Sequence, residues 1–166
     1  TSVLALYDDA PVPRLLDAVD VGMDRDTAFS EHERLRLGPG DDAVVTYSEH
    51  FNSSQTYGFH TVVFARRDRL SMVAQVFTLS SRGCGWQRAE DPVFKVVADP
   101  GRPYGALKVA VRVATSRTDD GDCGQPVPRP STRTYRGVWR WEAAKGRWHG
   151  GSAALDRLDK QNQADF

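Results

Sequence analysis

The chain has 166 residues, 40% of them hydrophobic and 27% charged, and its twenty-two basic side chains balance its twenty-two acidic ones. A neutral total argues against a general nucleic-acid binder, which carries a basic excess. The apolar content excludes a disordered chain, and no apolar run approaches the ~20 residues that cross a bilayer. One domain spanning residues 1–166 is expected at this length.

Read in chain order, the clearest periodicity is two. Ser2 to Tyr7 has the composition of a short strand, whereas Pro13 to Val19 fits either a strand or one helical turn. Ala43 to Phe51 reads as a strand, and the polar run from Asn52 to Thr56 as its turn. Asn52-Ser53-Ser54 also fits a glycosylation acceptor, a triplet that is common by chance. Tyr57 to Ala65 and Leu70 to Leu79 are rich in β-branched and aromatic residues and are joined across Arg66 to Arg69, the pattern of a hairpin.

Val93 to Ala98 reaches the alternating segment Ala106 to Thr115 through a loop holding two prolines and two glycines. A last hairpin comprises Thr134 to Glu142, a turn at 143–146, and Arg147 to His149. Ser152 supplies an N-cap for a helix to Gln163, with Leu155 and Leu158 three apart. Hairpins with one terminal helix predict a mainly β fold, an antiparallel sandwich or partly open barrel with a short C-terminal helix.

The two cysteines, Cys84 and Cys123, stand beside glycines in apparent loops. Their expected state is a disulfide, which places the protein in an oxidising compartment. Closing about 40 residues would stabilise the fold by roughly 4 kcal/mol in the chain-entropy model. Eighteen of the basic residues are arginine and seventeen of the acids aspartate, a bias typical of a GC-rich bacterial gene. Together with a chain that starts at Thr1 without methionine, these features suggest a periplasmic or secreted protein.

Charge is distributed unevenly. Residues 1–42 carry ten acids and four arginines, whereas residues 129–148 carry six bases and one acid. Within the basic segment lies the most distinctive cluster: Tyr135, Arg136, Trp139, Arg140 and Trp141, followed by Arg147, Trp148 and His149. On a strand, Tyr135, Trp139 and Trp141 share one face, and Arg136 and Arg140 the other. An exposed aromatic face would stack on sugars or anchor a protein, since Trp and Arg dominate binding hot spots. A buried one would leave the arginine face for an acidic partner.

Other chemistry has weaker support. Asp20 to Glu31 places acids at positions 1, 5 and 12 of a calcium-loop template, but Arg25 occupies the position where glycine makes the turn. Asp119, Asp120 and Asp122 form an acidic loop with the composition of a solvated turn. The histidines lack zinc-ligand spacing, and neither a nucleophile elbow nor a phosphate loop is present. No cofactor or metal is implied. His50 and His60 would support acid–base chemistry if their strands brought them together, with Ser48 or Asp68 nearby.

The leading expectation is therefore a non-enzymatic protein-binding domain, of the kind that inhibits a hydrolase or confers immunity to a toxin. The alternatives are a cell-wall or glycan-binding module using the last hairpin, and a small hydrolase using His50 or His60.

Overall fold

The computed structural model of the chain describes residues 1–24, 26–119, 124 and 126–166, and the backbone alone for residues 31–33. Among these residues are ten strands, β1 (Val3–Tyr7), β2 (Leu15–Asp20), β3 (Asp26–Arg36), β4 (Asp42–Phe51), β5 (Gln55–Arg66), β6 (Arg69–Gly83), β7 (Trp86–Val97), β8 (Ala106–Arg117), β9 (Ser131–Glu142) and β10 (Arg147–Gly151). One helix, α1 (Ala153–Asp165), follows them. The fold is mainly β and antiparallel, and its sheet is not closed into a barrel.

β1 and β2 form a separate hairpin, while β3 to β10 follow one another through an eight-stranded sheet in chain order. Such a meander follows from the turn chemistry. β5 and β6 meet across Arg67 and Asp68, both at positive φ (48° and 61°), and β6 and β7 across Cys84 and Gly85, the latter at 75°. β9 and β10 are joined through Gly146 at 59°. Positive φ at a two-residue loop matches the right-handed twist of the strands that it joins.

The sheet is not uniformly paired. β6 and β7 are bonded only where Ser81, Arg82 and Gly83 face Arg88, Gln87 and Trp86, and beyond that point they part. The fork leaves β7 with a ladder on one side only, which is where a strand tolerates Pro92. On the other arm, the backbone N–H of Leu79 donates to the Glu90 carboxylate at 3.1 Å in place of a strand partner. Glu90 has no exposed side-chain surface; it also accepts from Asn162 Nδ2 at 2.7 Å and pairs with Arg88. Arg88 in turn donates to Asn162 Oδ1 at 2.9 Å, so one polar cluster ties the fork to α1. A buried carboxylate is tolerated because every partner is in place.

The core lies between the arms and under α1. Val45, Val62, Phe64 and Val76 meet Phe94, Leu107, Val109, Val111, Trp141 and Leu158. Gly137 has a structural reason to be glycine, since a Cβ there would sit 2.7 Å from Leu155 Cδ1 and 2.9 Å from the Trp139 ring. Ser152 caps α1 by accepting from the Leu155 N–H at 3.1 Å, as expected from the sequence. The β1–β2 hairpin is tied to β6, where Asp17 accepts from the Leu70 N–H at 2.8 Å. That hydrogen bond and a second from the Ala18 N–H hold the Asp17 carboxyl below its usual range.

Two segments gain definition from the structure. Of the two readings of Pro13 to Val19 the strand is the one observed, as β2 from Leu15 onward. Asp20 to Glu31, a poor match to the calcium-loop template in the sequence, does not run as one loop: the Asp20 carboxylate caps the Gly22 N–H at 2.9 Å, and from Asp26 onward the segment is β3, an edge strand absent from the sequence reading. Arg25 lies outside the described residues.

Candidate functional site

The last hairpin was the expected site, and its register decides which of its side chains are available. β9 pairs with β8 so that Leu107 faces Trp139, Val109 faces Gly137 and Val111 faces Tyr135. Leu107, Val109 and Val111 are fully buried, so the aromatic face of β9 points inward with them. Trp141 is 6% exposed, and Tyr135, Trp139 and Trp148 pack as partly buried groups against the same core. Trp141 and Trp148 meet at 6.0 Å, each edge-on to Phe64, and Tyr104 approaches Trp141 at 5.3 Å. The Arg66 guanidinium covers the Trp141 ring at 5.0 Å. Trp141 is therefore a core residue, while Trp139 and Trp148 pack against the core with one part of the ring and keep the rest accessible, Trp139 lining a small pocket beside α1.

The opposite face is open and basic. Arg136 and Arg140 project outward from β9, and His149, opposite Arg140 on β10, is exposed with Arg147. β8 adds Lys108 and Arg112 to this face, and β7 adds Lys95. Three of these cations have acidic neighbours: Arg112 lies 3.5 Å from Asp91, Arg140 lies 3.2 Å from Asp99, and Arg147 stands opposite Glu142, whose carboxyl is held below its usual range by Lys145 and, less strongly, by Arg147 and His149. Lys95, Lys108 and Arg136 have no ion pair among the described residues. Lys95 stands directly opposite Lys108 across the β7–β8 ladder. Like charges so placed are destabilising. Beside them, Val93 (56% exposed) and Ala110 lie in register with Arg136, which makes a small apolar centre within the basic rim.

The sequence reading found the four residues of the last hairpin on this face but missed Lys95, Lys108 and Arg112. The signal was present in the alternation of Lys108 and Arg112 along β8, but assembling it required the strand order.

The histidine arrangement does not form. His60 faces Tyr47 and His50 faces Tyr57, which puts the two imidazoles on opposite sides of β4 and β5. His60 lies among Tyr47 (4.6 Å), Phe94 (6.1 Å) and the Thr78 hydroxyl, and burial pushes its pKa down to about 4. Ser48 bonds to Thr27 and to the Val21 carbonyl, and Asp68 sits in the β5–β6 turn, far along the strand from either histidine. His50 instead lies 3.4 Å from Asp24, whose carboxylate also accepts from the Tyr57 hydroxyl. That hydrogen bond, more than burial, raises the Tyr57 pKa.

The expected disulfide falls on Cys123, which with Asp120 and Asp122 lies outside the described residues. Cys84 occupies the β6–β7 turn. Asn52 of the glycosylation triplet uses its side-chain oxygen to accept from the N–H groups of Ser54 and Gln55, at 3.1 and 2.9 Å. No helix among the described residues is long and apolar enough to cross a membrane.

The fold and surface together describe a β-meander with a basic outer sheet face. No family model matches the chain, and no curated protein or solved structure matches it significantly.

Proposed function

We propose that the protein is a non-enzymatic, exported binding domain that docks an acidic protein through the outer face of β7 to β10. The observation that carries this reading is the Lys95–Lys108 opposition. A sheet selected for stability alone would place an acid across from one of them, whereas a surface that meets an acidic partner relieves the repulsion on binding. Arg136, Arg140, Arg147 and His149 extend the basic field, and Val93 with Ala110 provides the apolar contact that charge alone lacks. Such a field speeds encounter with an oppositely charged surface. Inhibition of a hydrolase or neutralisation of a toxin fits this mode of docking.

The test is capture of a partner from envelope and secreted extracts by wild-type protein and by Lys108→Glu/Arg136→Glu, at low and high salt. We expect one acidic protein to be retained by wild type, to elute with salt, and to bind the double variant at least about tenfold more weakly. The variant should be as stable as wild type or more so, by roughly 0.2–1 kcal/mol, because the opposed cations are gone. Equal retention by both baits, or the absence of any salt-sensitive partner, would overturn the proposal.

A further inference from the structure

We propose a second site, distinct from the basic face: the cleft at the fork between β6 and β7 takes a saccharide, with a pyranose ring stacked on Trp86. Trp86 is the one tryptophan that the last hairpin does not contain. It lines a cleft of about 450 Å³ together with Ser81, Arg88, Thr115 and Asp165, and Leu79 lies beneath. The register explains how these residues converge. Gln55 faces Ser81, Ser81 faces Arg88 and Arg88 faces Thr115, so a single polar row crosses four strands at the place where the two arms of the sheet are still joined.

The aromatic wall is fixed from behind. Gly83 stands opposite Trp86, and a Cβ on it would lie 2.3 Å from the indole Nε1 and 2.6 Å from Cε2. The ring therefore rests on backbone with one side and leaves the other side to the cleft. α1 closes the opposite wall, with Gln55 Nε2 donating to the main-chain oxygen of Asp165 at 2.8 Å.

The polar groups suit hydroxyls better than an anion. Two arginines line the cleft, Arg82 and Arg88; the buried Glu90 carboxylate offsets the charge of Arg88 and Asp165 lies 3.5 Å from its Nη1, and Arg82 is itself engaged with a partner. The hydroxyls of Ser54, Ser81 and Thr115 have no hydrogen-bond partner among the described residues. A ligand carrying several hydroxyls can donate to Asp165 and accept from Arg88 while exchanging bonds with these side chains, and its C–H face can cover the indole. Because Glu90 and Asn162 already hold Arg88, little ordering accompanies binding.

The experiment is titration of isotope-labelled protein with maltotriose, cellotriose and the trimer of N-acetylglucosamine, following the Trp86 indole N–H by NMR, with glycerol as the non-ring control. At least one trisaccharide should shift that resonance saturably, with a dissociation constant in the millimolar range or tighter. Thr115→Val, which keeps shape and fold, should weaken binding several-fold; Trp86→Ala, followed instead through the backbone amide resonances of Ser81, Arg88 and Thr115, should weaken it by about tenfold or more. Circular dichroism of each variant separates loss of the site from loss of the fold. No saturable shift with any trisaccharide, an equal response to glycerol, or binding unchanged in both folded variants would each overturn the proposal.

Discussion

His60 shows at the scale of one residue how position outweighs composition. In the sequence it is one of four histidines and a candidate base. In the fold it lies between Tyr47 and Phe94 and is held neutral by burial, with its pKa at about 4 against an ordinary 6.5. An unfolded chain takes up the proton near 6.5, and the folded chain resists it until about 4. Stability from this group is therefore complete above the unfolded value and is lost as pH falls through the interval, by about 3 kcal/mol at most. Urea midpoints measured from pH 7.5 to 4.5 should fall in wild type. In His60→Gln that part of the slope should vanish, and an unchanged slope would show that another group titrates. Tyr47, beside it, is raised chiefly by burial and then by its hydrogen bond to Glu49. Glu90 carries the same lesson: the sequence offers an acid inside an alternating strand, and only the fork explains why that acid is buried.

At the scale of elements, the hairpins were legible because each is local. Alternation and turn residues mark β4 to β6 and β8 to β10 without reference to anything distant. Where these signals are weak, the reading failed. β3 has no clean alternation and sits at the sheet edge, and β7 was begun at Val93 although it starts at Trp86, because a proline interrupts it. The β5–β6 turn remains a weak point of the fold itself. Arg67 and Asp68 both occupy positive φ, a conformation that costs residues with a Cβ of the order of 1 kcal/mol each. Replacing them with Asn and Gly should raise stability by about 1 kcal/mol in a thermal melt. No gain would mean that the arginine or aspartate side chain makes a compensating contact.

At the scale of the whole molecule, charge and covalent closure matter more than any one contact. A net charge of zero conceals a sheet face dominated by cations. The disulfide is a prediction of the same scale. If Cys84 and Cys123 are joined, thiol labelling of the unreduced, denatured protein should modify neither. Reduction should then lower stability by roughly 4 kcal/mol, the value for closing about 40 residues. Labelling of both cysteines without reductant would show that they are thiols and would remove the main argument for an oxidising compartment.

The amino-acid sequence by itself determined the fold class, the hairpins, the helix and its cap, since these depend on periodicity and on residues a few positions apart. It also isolated Arg136, Arg140, Arg147 and His149 as candidates. Only the tertiary structure decided that the neighbouring tryptophans pack against the core and that Lys95 and Lys108 oppose each other. It alone showed that His50 and His60 are separated, and that Trp86 walls a polar cleft. The reason is physical: a strand has two faces of equal local standing, and which of them is buried depends on what the rest of the chain packs against it.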